Sequence, residues 1–394
     1  MATKTKKIIL AYSGGLDTSC CLQWLKDKGF EVVCFSADLG SEFSPKELRA
    51  AAKKCGISKV YIKDLKSEFA NDYILPALKA GAVYQNKYLL ATALGRPLIA
   101  KHLVEVAKEE RAEFVAHGCS AKGNDQVRIE IAVRILNPAL KIIAPLRVWE
   151  LTSRKSEIAY AIQKKIPIKT TTEKIYSIDK NIWGVSIEAG ILEDLDNEPK
   201  EDAFIMTNPL ERTPAVPCYL DIEFDKGKPV KLNNKSLDLV NLIEKLNKIG
   251  GNHCIGRTDL IEDRTVGIKS REVYEAPAAW ILHLAHKELE ALVLDKQTLY
   301  FKELISLQYS QLVYQGLWFS KIKQSLDAFT EKAQNVVSGK ITVKLYKGNI
   351  IISKRSSKNS LYKKELATYG EKDKFNRDWA EGFVNIWGMP FIDK

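Results

Sequence analysis

The chain has 394 residues, 45% of them apolar and 28% charged, which excludes a disordered or fibrous protein and is too long for one average core. A net charge of +11 admits a nucleic-acid face, but the lysines are scattered and no block of five like charges occurs. We therefore expect a lysine-rich surface around a site for anionic substrates, with no nucleic-acid partner.

In chain order, residues 7–12 form an apolar run that ends in Gly14-Gly15. A helix is predicted over 18–28, stopped by Gly29, and a buried strand over 31–37. Residues 45–55 open with Pro and are followed by Gly56, the start and stop expected of a helix. A short strand at 59–62, a long amphipathic helix at 96–110 and a strand at 112–116 follow. Strands alternating with helices predict a doubly wound parallel sheet, an α/β domain over residues 1–166 with ligands at the carboxyl ends of its strands.

From 167 to about 215 the composition shifts to Thr, Asn, Pro and acidic residues. A mixed α+β domain is expected over 167–360, with a strand at 219–224, a helix at 237–249 ending at Gly250-Gly251, and a hairpin at 341–353 around Gly348. Residues 361–394 form a tail in which Trp379 and Trp387 are the expected anchors. No stretch reaches the length of a membrane span, and Met1-Ala2-Thr3-Lys4 runs straight into Ile8-Ile9-Leu10 without an apolar signal region. Seven cysteines without a C-x-x-C fit a reducing compartment, so a cytoplasmic protein is expected.

The strongest chemical signal is Ala11-Tyr12-Ser13-Gly14-Gly15-Leu16-Asp17-Thr18-Ser19, between the first strand and the first helix. Adjacent glycines let the backbone turn tightly and approach an anion. The helix-start N–H groups and the hydroxyls of Ser13, Thr18 and Ser19 can donate to phosphate oxygens. No Gly-Lys-Ser/Thr closes the loop, so it is not a Walker A loop. A second segment, His117-Gly118-Cys119-Ser120-Ala121-Lys122-Gly123-Asn124-Asp125-Gln126-Val127-Arg128, again follows a strand and enters a helix. It places a cation for a carboxylate (Arg128), a carboxylate for an ammonium (Asp125) and an amide (Asn124) at the lip of the sheet, as amino-acid substrates require.

The first segment resembles the pyrophosphate loop of the N-type ATP pyrophosphatases, and the second the H-G-x-T-G-K-G-N-D-Q-V-R segment of the argininosuccinate synthase family. Ser120 stands in place of Thr and Ala121 in place of Gly. The stretch Tyr88-Leu89-Leu90-Ala91-Thr92-Ala93-Leu94-Gly95-Arg96-Pro97 resembles that family's Y-L-L-G-T-S-x-A-R-P, and further agreement runs through residues 176–190 and 256–277.

The resemblance implies cleavage of ATP between its α and β phosphates, adenylation of citrulline, and capture by aspartate. It implies ATP contacts at Ala11 through Ser19, at Ala37 and at Gly118, with Asp17 near Mg²⁺. Citrulline contacts are implied at Tyr88, Ala93, Asn124, Arg128, Ser177, Ser186, Glu262 and Tyr274, and aspartate contacts at Ser120, Asn124 and Asp125. Asp17, Lys122 and Asp125 would carry the chemistry. Ala93 stands where a serine is frequent, which leaves Thr92 to supply that hydroxyl. A homotetramer with a C-terminal arm is also implied. The rival readings are a tRNA-modifying pyrophosphatase, disfavoured by the missing C-x-x-C, and a non-catalytic nucleotide-binding protein, disfavoured by the unbroken loop.

Overall fold

The computed structural model describes residues 6–41, 44–167 and 176–392; the expectations on residues 1–4 and 393–394 lie outside them. The first half runs β1 Lys7–Ala11, α1 Leu16–Asp27, β2 Glu31–Asp38, α2 Pro45–Lys54, β3 Val60–Asp64, α3 Lys66–Glu68, a wide π turn Phe69–Ile74, α4 Leu75–Ala80, α5 Ala91–Glu109, β4 Phe114–Ala116, α6 Asn124–Leu136, β5 Lys141–Ile143 and α7 Arg154–Gln163. All five strands pair in parallel, in the order β3-β2-β1-β4-β5. Their side chains alternate between two cores. Ile9, Val33, Phe35 and Val115 enter one; Ile8, Leu10, Val32, Cys34 and Phe114 enter the other, together with Leu22 of α1, Leu48 of α2 and Ala161 of α7. Burial on both faces explains why these strands read as unbroken apolar runs. The strand order reverses between β1 and β4, so the crevice at their carboxyl ends is where such a sheet accepts a ligand.

The second half comprises β6 Ser177–Asn181, β7 Gly184–Glu188, β8 Cys218–Asp225, β9 Lys228–Leu232, β10 Lys235–Ser236, α8 Leu239–Asn252, β11 Arg257–Asp263, β12 Lys269–Glu275, α9 Pro277–Val293, α10 Lys296–Tyr314, α11 Lys321–Gln334, β13 Gly339–Tyr346, β14 Asn349–Ser356, α12 Lys364–Ala367 and α13 Asp378–Gly388. It holds two antiparallel sheets, β10-β9-β8-β13-β14 and β11-β12-β7-β6. The first buries Leu220, Ile222, Phe224, Ile341, Val343 and Leu345, which join the core that holds Ile9 and Phe35. One apolar core thus runs through both halves. The second sheet turns Val185, Ile187 and Val273 into a small core of its own. The alternation of strand side chains leaves Ser186 and Tyr274 on its other face.

Three expectations are corrected. Helix α5 begins at Ala91, not at residue 96; Leu90 precedes it in a left-handed conformation (φ 63°), and Pro97 is accommodated inside the helix. Gly250 and Gly251 do not stop α8 but lie within it. A Cβ at Gly250 would stand 2.9 Å from Pro277 and Ile281, and one at Gly251 2.1 Å from the Met206 carbonyl oxygen. The glycines are there for close packing, not termination. Among the described residues Trp379 and Trp387 reach no core: they are 70% and 68% exposed, Trp387 stacks only on Phe383 of its own helix, and no residue of α13 is buried.

Glu275 at the end of β12 is fully buried. Its carboxylate accepts the backbone N–H groups of Ile205 (2.8 Å), Met206 (3.0 Å) and Thr207 (2.8 Å) and the Thr207 hydroxyl (2.7 Å). Removing the acceptor would orphan several buried donors at once. We expect Glu275→Ala to destabilise the fold by about 3 kcal/mol or more in urea denaturation. A loss below about 1 kcal/mol would show that water replaces the carboxylate there.

Candidate active site

β1 ends at Ala11, and the Tyr12 N–H continues the sheet to the Phe35 carbonyl (2.8 Å). The Tyr12 hydroxyl meets the buried Ser19 hydroxyl at 3.3 Å. Gly14 has φ +76°, and a Cβ there would lie 2.8 Å from Leu48. Only glycine turns the chain here. Gly15 caps α1, and no side chain accepts from the helix's first N–H groups. They are open to an anion, with the Ser13 and Thr18 hydroxyls 3.1 Å apart at the rim. Leu16 is buried below the turn, and Asp17 occupies the first turn of α1. Glu157 of α7 faces Asp17. Burial first, then the charge of Asp17, pushes the Glu157 carboxyl up to about 8. Ala37 lies half-buried near the carboxyl end of β2.

The second loop packs directly on the first. A Cβ at Gly118 would stand 2.9 Å from Thr18 Cγ2 and 3.5 Å from the Thr18 backbone. His117 holds the loop from behind. Its Nδ1 accepts the Cys119 N–H (3.2 Å), which leaves Nε2 to donate to Glu130 (3.0 Å). Ser120 and Lys122 are exposed. Lys122 is held through its backbone carbonyl, which accepts from Arg264 (3.2 Å). Burial, then the nearby charge of Asp125, raises the Cys119 thiol, so this cysteine supplies no thiolate.

The first two turns of α6 carry the densest cluster. Asn124 donates to the Tyr314 hydroxyl (2.8 Å) and to Glu262 (3.4 Å), and its carbonyl accepts from the Thr265 N–H (2.8 Å). Glu262 also accepts the hydroxyls of Tyr274 and Tyr314. Arg128 is 3% exposed; Nε donates to the Tyr314 carbonyl (2.8 Å) and Nη1 to Asp125 (3.0 Å). Its Nη2 is buried and has no partner among the described residues. A buried guanidinium donor without an acceptor is costly unless a ligand supplies one.

Tyr88 stacks on Tyr274 with ring centres 4.2 Å apart. Its hydroxyl bonds the Thr92 hydroxyl and accepts the N–H groups of Thr92 (3.1 Å) and Ala93 (3.2 Å), the first residues of α5. Burial pushes that phenol up to about 12, although Arg128 pulls it down. Ser186 of β7 stands opposite Tyr274 of β12 and Asp179 of β6 in the sheet register. Ser177 lies farther along β6, opposite Glu188, and is exposed.

Tyr88, Asn124, Asp125, Arg128, Glu262 and Tyr274 are thus brought into one connected group, Ser186 borders it, and Ser177 lies at its edge. The phosphate loop adjoins this group through the contact of Gly118 with Thr18. Arg96 and Tyr314 were missed as site residues. Arg96 bridges Asp125 (2.7 Å) and Asp179, joining α5 to β6. It lies inside the stretch that matches the family pattern, so the signal was present. Nothing in the sequence around Tyr314 announced it. A second acidic group, Glu188 and Glu272, is bridged by Arg264 at 2.6 Å to each. Burial first, then the charge of Glu188, pushes Glu272 up to about 8.

Burial alone would raise Asp125, but the charges of Arg96 and Arg128 prevail and hold it down at about 2. A carboxyl depressed on folding adds stability above its unfolded pKa near 3.8, and that stability is lost as pH falls from there toward 2. We expect the stability gap between the native chain and Asp125→Asn to stay constant above pH 5 and to shrink by on the order of 1 kcal/mol below pH 4. A gap that does not change between pH 5 and pH 3 would show that Asp125 titrates normally.

Family models match both halves of the chain. The model of the arginosuccinate synthase N-terminal HUP domain matches residues 7–167, and that of the arginosuccinate synthase C-terminal domain matches residues 176–392. The chain is 53% identical over 386 residues to an argininosuccinate synthase of Carboxydothermus hydrogenoformans, covering 98% of this chain and 96% of that protein. It is 53% identical over 387 residues to the one of Caldanaerobacter subterraneus subsp. tengcongensis (98% and 94% covered), and 49% identical over 393 residues to the one of Clostridium botulinum (99% and 97% covered). With both halves of the family matched and relatives of this identity over nearly the full length, the chain belongs to the argininosuccinate synthase family.

Proposed function

We propose that the chain is an enzyme that joins L-citrulline to L-aspartate at the expense of ATP, a carbon–nitrogen ligation of arginine biosynthesis. One observation carries the assignment of the site: the unpartnered Nη2 of the buried Arg128, set among Tyr88, Asn124, Glu262 and Tyr274 and adjoining an open phosphate loop. A guanidinium with a free donor suits a carboxylate. The ureido oxygen of citrulline attacks the α-phosphorus of ATP, forming a citrullyl adenylate and releasing pyrophosphate. The aspartate amine, as a neutral base, then attacks the activated carbon, loses its proton and expels AMP.

The chain's own part is positioning and charge neutralisation. The free N–H groups at the start of α1, Leu16 through Thr18, and the Ser13 and Thr18 hydroxyls hold the phosphates, with Gly14 and Gly15 giving close backbone approach, and Ala37 and Gly118 border the nucleotide. Lys122 brings its ammonium to the leaving pyrophosphate. Arg128 takes the citrulline carboxylate, with Tyr88, Tyr274, Glu262, Ser177 and Ser186 along the molecule; beside Ala93, the hydroxyl is left to Thr92, which bonds the Tyr88 hydroxyl. Ser120, Asn124 and Asp125 receive aspartate.

Among the described residues no group of three or more His, Cys, Asp or Glu could hold a metal ion. That fits Mg²⁺, which binds through one or two carboxylates and the substrate phosphates, and Asp17 is the carboxylate at the loop. When bound, the ion neutralises phosphate charge. No helix among the described residues is long and apolar enough to cross a membrane. All seven cysteines are free, which supports a cytoplasmic setting. The division at 166 and 360 follows the change from parallel to antiparallel sheets and the start of the exposed tail. The tail's bare Trp379, Phe383 and Trp387 support a homotetramer in which it reaches a neighbouring subunit.

Incubation with ATP, citrulline and aspartate should release AMP and pyrophosphate only when both amino acids are present; steady ADP and orthophosphate would overturn the assignment. A second experiment separates the half-reactions by positional isotope exchange in ATP, with citrulline present and aspartate omitted. We expect Asp125→Asn to keep the exchange, at a raised citrulline KM because Asp125 also braces Arg128, while full turnover falls by about a hundredfold or more. Asp17→Asn should lose the exchange. Equal loss in both variants would place Asp125 with the nucleotide.

A further inference from the structure

Resting on this placement of citrulline, we propose that Tyr314 is a positioning residue of the reaction: it sets the Arg128 guanidinium and the Glu262 carboxylate in the geometry that receives citrulline. Tyr314 is the last residue of α10, far from every segment that carries the family's motifs, and it is 1% exposed. It touches three of the citrulline residues at once. Its hydroxyl donates to Glu262 Oε1 and accepts from Asn124 Nδ2 (2.8 Å). Its backbone carbonyl accepts from Arg128 Nε (2.8 Å), and the guanidinium lies over its ring, 4.8 Å from the centroid.

These contacts decide which donors of Arg128 remain for a ligand. Nε is taken by Tyr314 and Nη1 by Asp125, which leaves Nη2 without a partner among the described residues. Glu262 is constrained in the same way. The hydroxyls of Tyr274 and Tyr314 approach it one on each oxygen, so the carboxylate cannot rotate without breaking a buried bond.

The placement of Tyr314 is itself enforced. Its ring stacks on Tyr84 with centres 3.6 Å apart and planes 7° from parallel. The turn that follows lies against α6: Gly316 has φ +79°, and a Cβ there would stand 2.6 Å from the Arg128 Cα. A side chain at 316 would push the turn off Arg128, so this glycine permits the approach that lets residue 314 reach the pocket.

The hydroxyl is tested by steady-state kinetics and thermal melts of Tyr314→Phe, which keeps the ring and the carbonyl. The citrulline KM should rise at least tenfold while the ATP KM moves less than threefold, a split that general loosening of the fold would not give. Arg128→Leu and Glu262→Gln are measured beside it, with the double variant Tyr314→Phe/Glu262→Gln. If the hydroxyl acts through the carboxylate, the double variant should match Glu262→Gln within about threefold in citrulline KM. That comparison also serves if Tyr314→Phe alone fails to fold, because the neutral amide no longer leaves a charge short of a donor. A citrulline KM for Tyr314→Phe within threefold of native, while Arg128→Leu and Glu262→Gln raise theirs, overturns the role of Tyr314 alone. So does a further tenfold loss in the double variant over Glu262→Gln. If Arg128→Leu and Glu262→Gln leave citrulline unmoved, the citrulline site is misplaced and the role of Tyr314 falls with it.

Discussion

A guanidinium buried to 3% exposure is the constraint from which the site follows. Arg128 must be desolvated to sit under the second half of the chain, and a desolvated charge persists only where partners replace water. One partner, Asp125, comes from its own helix; the other, Tyr314, comes from across the molecule. Asp125 is in turn shared with Arg96, which also reaches Asp179 on β6. Arg128, Asp125, Arg96 and Asp179 form a chain of alternating charges that crosses from the parallel sheet to the antiparallel one. The two halves are fastened by the same groups proposed to receive the substrates, so on that reading binding and docking cannot be altered independently.

The electrostatics of the two walls differ. The wall built by α5, α6 and the loop before α6 offers Arg96, Arg128 and Lys122. The sheet β11-β12-β7-β6 offers Asp179, Glu188, Glu262 and Glu272, with Arg264 bridging two of them. An amino acid is itself dipolar, with a carboxylate and an ammonium on one carbon. A cleft with Arg128 and Lys122 on one wall and Glu262 on the other favours one direction for such a molecule, although Asp125 and Arg264 place an opposite charge on each wall. The net +11 of the chain is therefore a property of the outer surface and says little about the cleft.

The strand, turn and helix start around Gly14-Gly15 were legible in the sequence because they are local. Strand, turn and helix start are contiguous, and the glycines report backbone needs that neighbours in sequence impose. The same holds for the entry to α6. Legibility ended where a side chain's partner lies far along the chain, 186 residues for Arg128 and Tyr314 and 68 for Thr207 and Glu275. Tyr314 and Glu275 take their meaning from Arg128 and from residues 205–207, pairings that no periodicity reports. Gly250-Gly251 misled for the same reason: a helix stop and a helix that another backbone must approach closely call for the same residue. The helix predicted from residue 96 begins earlier because tertiary packing carries it back to Ala91 beneath the Tyr88 hydroxyl.

The two faces of the parallel sheet have different fates during synthesis. One face is closed by α1, α2 and α7, all of them within the first 163 residues, so it can be completed early. The other shares its core with Leu220, Phe224, Val343 and Leu345, the last of which lies 345 residues into the chain. At a translation rate of roughly 5–20 residues per second, that core waits on the order of ten seconds or more between the emergence of β4 and that of β13. Over that interval α5 already covers Ile9 and Phe35, with His102 stacked on Phe35, and what waits is the side of α4 and α5 that meets β7, α9 and α10. Such an uncovered apolar helix side is a substrate for chaperones and a point of entry for aggregation, and a separately expressed N-terminal half would carry it permanently.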